Sequence, residues 1–303
     1  MDEQFFTVII PTYRRPALLV RALQSVAAQT FAGSQVIVVD DAGDAETEAI
    51  VAGFPGFEYL INDNAKGGSG ARNAGIARAT GRWVAFLDDD DLWLPNKLEA
   101  VRALIAESTS ELGLVYSAAE HFDSEEKTPI MNTRPFARGE VLDQVLYRNV
   151  IGGMSVAVVR RDLLERIGGF DERFPAMQDA ELYVRLAQIC AFDFVDQVLV
   201  RVRSARHTRI THDVTKKLQA SKLFAEKYAG LLEQRPRLRH RTAARTLIFA
   251  SAARDARTIL ANLPWTLAGV LVDPGNVPYV VRSLVAIAKQ VPTGRARKAG
   301  ALP

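Results

Sequence analysis

The chain has 303 residues, 48% hydrophobic and 24% charged, with a formal net charge of +3. That is an ordinary globular composition, long enough for one large or two smaller domains with a sizeable core. A single cysteine, Cys190, excludes an internal disulfide and a cysteine-based metal site and fits a reducing compartment. No secretory leader precedes the first strand-like run, and no apolar stretch reaches the ~18 residues of a spanning helix.

Phe5 to Ile10 reads as a first strand, ended by Pro11, and Pro16 opens a helix to about Gln29. Val36 to Val39 is a continuously apolar second strand, as a buried parallel strand should be; it ends at Asp40-Asp41. A helix over Ala45 to Ala52 and a third strand over Phe57 to Ile61 follow. Ser69 is placed to N-cap a helix reaching Ala79. Trp83 to Leu87 is the next strand, and Pro95 opens a helix to about Glu107. Strands alternating with helices predict an α/β fold with a parallel central sheet.

After Gly113 the pattern changes. Leu114 to Ser117 and Val156 to Val159 read as strands, and the polar stretch from Asp123 to Arg138 as a mobile loop. Asp179 to Ile189 is helical, Phe192 to Val195 and Val198 to Val202 are two further strands, and from about Asp213 the chain is mostly helical. No internal repeat is present.

Three strand ends carry polar groups: Pro11-Thr12-Tyr13, Asp40-Asp41, and the run Asp88-Asp89-Asp90-Asp91. In an open parallel sheet, ligands bind beyond the carboxyl ends of the strands, so parallel strands bring all three to one rim. Four consecutive carboxylates repel one another and resist desolvation. A hard cation, Mg²⁺ or Mn²⁺, relieves that conflict and shares its oxygen ligands with phosphates. The bland alternative is an acidic turn with Asp91 capping the helix after Pro95. Asp40-Asp41 alone is equally a turn before a capped helix.

Lys66-Gly67-Gly68-Ser69-Gly70-Ala71-Arg72-Asn73 offers exposed amides and two cations, which suit a phosphate or a base. It lacks the spacing of a Walker loop, and by itself it reads equally as a flexible loop. Asp179 sits at a helix start, as a first-turn carboxylate favoured by the dipole or as a general base. His207 is one of four histidines and becomes a ligand candidate only if the acidic rim holds a metal. No serine triad, cysteine nucleophile or clustered zinc spacing is evident.

In this order, the segments resemble the family 2 glycosyltransferases of GT-A fold. Val8-Ile9-Ile10-Pro11-Thr12-Tyr13 is similar to the family's opening strand, Val38-Val39-Asp40-Asp41 to its nucleotide-binding acidic pair, and Gly70-Ala71-Arg72-Asn73-Ala74-Gly75 to its segment near base and ribose. Phe86-Leu87-Asp88-Asp89-Asp90-Asp91-Leu92-Trp93 resembles its DxD region. Gly168-Gly169-Phe170-Asp171-Glu172 and Gln178-Asp179 resemble its acceptor-side loop and catalytic carboxylate. The match covers roughly residues 5–210.

The resemblance implies a Rossmann-like, mostly parallel sheet flanked by helices over residues 1–212, with a basic helical region over 213–303. It implies sugar transfer from a nucleotide-sugar, a UDP-sugar foremost, with inversion at the anomeric carbon. The acceptor it implies is a glycan or lipid-linked hydroxyl in surface polysaccharide synthesis. Asp41 would hold the base with Tyr13 beside it, and Pro11, Thr12, Lys66, Gly67, Arg72, Asn73 and Asp89 would line the donor. Asp88 would face the ribose or metal waters, Asp90 would ligate Mn²⁺ or Mg²⁺, and His207 would lie near the metal or diphosphate. Asp179 would be the base, and Gly153, Met154, Ser155 and Gln178 would shape the acceptor side. Relatives often carry Glu-Asp where this chain has Gln178-Asp179. Within the aspartate run, Asp88/Asp90 is the preferred ligand register and Asp89/Asp91 the alternative. A nucleotidyltransferase would place its glycine-rich loop right after the first strand, where Pro11-Thr12-Tyr13-Arg14 stands; a non-catalytic scaffold would not need Asp41, Asp90 and Asp179 together.

Charge is split along the chain. Residues 1–200 hold 18 Lys/Arg and 30 Asp/Glu, whereas residues 201–303 hold 20 and 5. A basic, partly amphipathic helical region suits an anionic membrane surface, here the inner face of the cytoplasmic membrane; an ordinary subdomain with a solvated basic face is the alternative. No recognised module points to nucleic acid.

Overall fold

The computed structural model describes residues 4–63, 67–108, 111–122, 129–203 and 213–272, and residues 277, 278, 281 and 285. Two compact units result, Met1–Arg173 with Gln178–Arg209, and Phe174–Met177 with Ile210–Pro303.

The first unit opens with β1 (Phe6–Thr12), α1 (Pro16–Ala27), β2 (Gln35–Asp40), α2 (Ala45–Ala52), β3 (Phe57–Ile61), α3 (Gly68–Arg78) and β4 (Trp83–Phe86). β5 (Leu92–Trp93), α4 (Lys97–Ala106), β6 (Leu112–Phe122), β7 (Pro129–Thr133) and α5 (Leu142–Tyr147) follow. A 3-10 turn at Met154–Val156 leads into β8 (Ala157–Arg160), α6 (Arg161–Ile167), α7 (Gln178–Ala187) and β9 (Ala191–Arg203). The sheet order is β3-β2-β1-β4-β8-β6-β9-β5, with β7 on β6. The first four of these strands are mutually parallel. β8 then runs antiparallel between β4 and β6, so the sheet is mixed, with the expected parallel arrangement in β3, β2, β1 and β4. β1, β2 and β4 are apolar on both faces because helices cover both, and Val8, Ile9, Val38, Val39, Val84 and Phe86 are fully buried. At Gly75 of α3 a Cβ would lie 2.5 Å from Ile9, so glycine lets the helix approach β1 closely.

Several boundaries differ from the sequence expectation. β1 continues through Pro11 to Thr12, and β2 pairs with it at both positions. α3 is N-capped at Gly67, and Ser69 lies inside it. Pro95 does not open α4: its carbonyl accepts from Thr30 N, and Gln29 Oε1 takes the first-turn Leu98 N–H instead. The apolar runs at 192–195 and 198–202 form the single strand β9, with Asp196 and Gln197 extruded where the pairing jumps from Val195 to Val198. Of the polar stretch read as a loop, Pro129–Thr133 is β7, while residues 123–128 fall outside the described set.

The second unit contains α8 (Val214–Lys227), α9 (Ala229–Glu233), α10 (Pro236–Ala253) and α11 (Ala256–Val272). Asp213 caps α8 through Lys216 N at 3.0 Å, and Asp255 accepts from Thr258 N at 3.0 Å in the first turn of α11. Ser221 and Thr246 share a buried hydrogen bond of 2.7 Å that ties α8 to α10.

Lys97, at the start of α4, is fully buried. Its Nζ donates to Val156 O at 3.2 Å and sits 5.2 Å from the Trp93 ring centroid. Burial pulls its pKa down from 10.5 to about 7. Below that pH both folded and unfolded chains carry the proton, and the fold bears the full cost of a buried ammonium. As pH rises toward 10.5 only the unfolded chain keeps the proton, so that cost fades. Lys97→Met is expected to stabilise the protein by about 1–3 kcal/mol at pH 6, shrinking toward pH 10, in urea titrations.

Candidate active site

The parallel strands β1, β2 and β4 deliver their C-terminal residues to one rim, and each acidic group there has defined partners. Asp40 is fully buried and accepts from Ala42 N, Asp44 N and Tyr59 OH, each at 2.9 Å, so it builds the turn after β2. Asp41 faces outward from that turn. Its carboxylate accepts from Asn62 Nδ2 at 2.5 Å and from Gly67 N at 2.7 Å, pinning the N-terminus of α3. Tyr13, just past β1, is 53% exposed on the rim, with the Arg14 guanidinium 5.4 Å from its ring centroid.

The four consecutive aspartates divide their tasks. Asp88 pairs with Arg72 Nη2. Asp89 turns toward β1: it accepts from Thr12 Oγ1 at 2.8 Å and from Arg15 Nη1 at 3.2 Å, and burial pushes its pKa up to about 6. Asp90 lies 3.6 Å from the same guanidinium. Asp91 is buried; its carboxylate accepts from Ser155 Oγ at 2.7 Å and from Arg203 N at 3.0 Å. Asp91 therefore does not cap α4. Oxygens of Asp88, Asp90 and Asp91 lie within 4.8 Å of one another, a hard-oxygen donor set of the kind divalent Mg²⁺ or Mn²⁺ takes. This cluster includes both members of the preferred Asp88/Asp90 register, adds Asp91, and leaves Asp89 out.

Ser155 belongs beneath this turn, where it is 1% exposed, not on an acceptor surface. Its Oγ also accepts from Asp88 N at 3.0 Å, and its carbonyl from Trp93 Nε1 at 2.9 Å. Met154 is likewise buried. Gly153 O accepts from Tyr183 OH at 3.3 Å.

Asp179 stands in the first turn of α7, after Met177, whose φ of 63° lies in the left-handed region. Asn149 Nδ2 donates to its Oδ2 at 3.1 Å and Ala180 N to its Oδ1 at 2.7 Å. Burial raises its pKa; Ala180 N and the nearby Arg72 oppose that shift, while Asp88 adds to it. Asp179, Arg72 and Asp88 thus share one electrostatic neighbourhood. Gln178 precedes it as the first residue of α7.

Asn73 docks the Gly168-Gly169-Phe170 loop: Nδ2 donates to Phe170 O at 3.0 Å and Oδ1 accepts from Phe170 N at 2.7 Å. Gly169 has φ +67°, and a Cβ there would meet Asn73 Oδ1 at 2.4 Å. Arg185 holds the same loop through Gly169 O and is itself fixed by the fully buried Glu181. Lys66 and His207 lie outside the described residues.

Arg15, Asn62, Asn149 and Tyr183 are the residues that sequence reasoning missed, while Asp91 entered it only in the alternative ligand register. Of the four, only Arg15, three residues past the first strand, carried a positional signal.

The family described as Glycosyl transferase family 2 matches residues 7–168, more than half of the chain. The succinoglycan biosynthesis protein ExoO of Rhizobium meliloti is 29% identical over 92% of this chain and 83% of its own length. An Escherichia coli UDP-Glc:alpha-D-GlcNAc-diphosphoundecaprenol beta-1,3-glucosyltransferase is 39% identical over a shorter stretch, 33% of this chain and 40% of that protein. Among solved structures, S. aureus TarS 1-349 in complex with UDP-GlcNAc superposes with a TM-score of 0.62 at 18% identity, covering 95% of this chain and 82% of that one. A mannosyltransferase from Pyrobaculum calidifontis in complex with GDP-Man and Mn²⁺ gives 0.52 at 19% identity, covering 95% and 87%. At these identities the superpositions establish a shared fold, the GT-A-like α/β architecture.

Removing the Ser155 hydroxyl leaves a buried Asp91 oxygen and the Asp88 amide without this partner. Ser155→Ala is expected to cost about 2 kcal/mol in urea unfolding, with Asp91→Ala less than additive in the double variant.

Proposed function

This chain belongs to glycosyl transferase family 2, and from that premise we propose that it transfers a sugar from a UDP-sugar to a hydroxyl of a glycan or lipid-linked acceptor, with inversion at the anomeric carbon. The observation that carries this reading is the convergence of the Asp88/Asp90/Asp91 cluster with a half-buried Asp179 whose proton affinity responds to Arg72 and Asp88. UDP-GlcNAc in one structural neighbour, the diphosphoundecaprenol acceptor in one relative's name and succinoglycan biosynthesis in another support donor, acceptor class and pathway type.

In this mechanism Asp41 and Tyr13 receive the base at the open end of β1 and β2. Asp88, Asp90 and Asp91 would hold Mn²⁺ or Mg²⁺, which when bound supplies Lewis-acid stabilisation to the diphosphate leaving group. Arg72 sits between that cluster and Asp179 and offsets negative charge on both. Asp179 accepts the proton of the attacking hydroxyl, and Asn149 fixes the direction of its carboxylate. Burial raises the pKa of Asp179, which makes it a stronger base than an exposed aspartate. One displacement on the face opposite the leaving group inverts the centre without a covalent intermediate. Gln178, neutral beside the base, adds no second carboxylate to raise that pKa further. The reaction is assigned to the inner face of the cytoplasmic membrane, where a lipid-linked acceptor resides.

Asp179→Asn is expected to lower transfer about 10²–10⁴-fold while keeping the thermal shift given by UDP-sugar with Mn²⁺. Transfer at the original rate would overturn the assignment of the base. Asp90→Ala is expected to lose the Mn²⁺-dependent part of that shift. Because the base must be deprotonated, the wild-type rate should fall as pH drops through the raised pKa of Asp179, in a limb above the ordinary carboxylate range. Residual Asp179→Asn activity should lack that limb.

A further inference from the structure

α11 is built inside out. The residues it buries are small or polar: Thr258, Thr266 and Gly269. Its polar groups are satisfied within the helix, with Asn262 Nδ2 donating to Thr258 O at 2.9 Å and Thr266 Oγ1 to Asn262 O at 2.8 Å. The outward side is apolar. Leu260, Leu267 and Leu271 are 72%, 47% and 91% exposed, and their spacing of seven and eleven residues puts them on one face with Pro264. Trp265 and Val272 are 43% and 49% exposed about a third of a turn around the helix from that stripe. From Thr258 to Val272 there is no charged residue. A water-facing helix buries its apolar stripe and exposes its charges, so this pattern marks a face meant for a non-aqueous neighbour.

The occupant is indicated by size and charge. No described helix is long and apolar enough to cross a membrane, so a bilayer would be met at its surface. Residues 213–272 hold 11 Lys/Arg against 4 Asp/Glu. Arg239 stacks on the Trp265 ring at 3.9 Å, placing a cation beside the half-exposed indole, the pairing suited to the headgroup layer. Val277, Val281 and Val285, spaced four apart, are exposed as well.

We infer that the Leu260/Leu267/Leu271 face of α11 inserts into the surface of an anionic bilayer, with the basic side chains of the same helical unit contacting lipid phosphates. The inference deepens the membrane-surface part of the reading above and rests on it only for the location of the acceptor.

The test is flotation of the full-length protein with vesicles of phosphatidylcholine alone or mixed with phosphatidylglycerol. Binding is expected to the anionic vesicles, weakened by salt. Leu260→Asp with Leu271→Asp is expected to reduce it at least about tenfold, with UDP-sugar hydrolysis in detergent-free buffer unchanged. Trp83 and Trp93 are 2% and 3% exposed, so an emission blue shift on vesicles reports Trp265. Equal flotation of wild type and the double variant would overturn the inference, as would a folded wild type that floats with neither vesicle. A wild-type dimer that Leu260→Asp/Leu271→Asp converts to monomer, without vesicle binding, would give the face to a second copy and also overturn it. Vesicle binding by an Asp179→Asn protein that has lost transfer would separate the two readings, since only the transfer reading depends on the base.

Discussion

The organising constraint of the first unit is the need to hold four adjacent carboxylates at the end of one buried strand. Mutual repulsion and desolvation would open such a turn if the four shared one environment. The fold separates them. Asp89 is drawn to β1 by Thr12 and Arg15, Asp91 is drawn under the turn by Ser155 and the backbone of Arg203, and Asp88 is paired with Arg72 from α3. Each tie comes from a different element. The turn therefore fixes the relative positions of β1, α3, the 3-10 turn and β9, and those elements fix the turn in return.

The same ties explain why the sheet is mixed. Ser155 can reach Asp91 only because the chain passes beneath the rim at Met154–Val156 before entering β8, and β8 then runs antiparallel to β4. Arg203 reaches Asp91 because β9 is one long strand, whose extruded Asp196 and Gln197 shift its pairing along β6. Departures from a simple parallel sheet are thus the features that support the acidic turn.

The first half of the unit was legible because its strands are short, wholly apolar and bounded by Pro, Asp or Gly. α2 and β3 fall on the expected residues, and the three polar strand ends do share a rim. What could not be read depended on partners distant in sequence. Asp91 looked like a helix cap because an acid before a helix usually is one; its actual partners are 64 and 112 residues away. Asn73 sits in a segment that reads as donor-binding, yet its amide is spent 97 residues away on Phe170. Asn149, which orients Asp179, lies in no pattern at all. Ser155 was noticed for the right region and given the wrong surface, because sequence shows that a residue is polar but not which side of a turn it supports.

Arg72 is where these strands of argument meet. Its guanidinium pairs with Asp88, donates to Gly68 O at 3.0 Å and lies 5.5 Å from the centroid of the Phe170 ring. One side chain thereby joins the glycine-rich N-terminus of α3, the acidic turn and the loop that Asn73 docks. It also lowers the proton affinity of Asp179, which Asp88 raises. The balance between Arg72 and Asp88 therefore reaches Asp179 as well as the cluster: any group that draws Arg72 away from Asp88, or neutralises Asp88, changes the field at Asp179. On the proposed reaction, a diphosphate arriving beside the cluster brings such a change, so donor occupancy and the strength of the base are linked through a single cation and need no movement of the backbone.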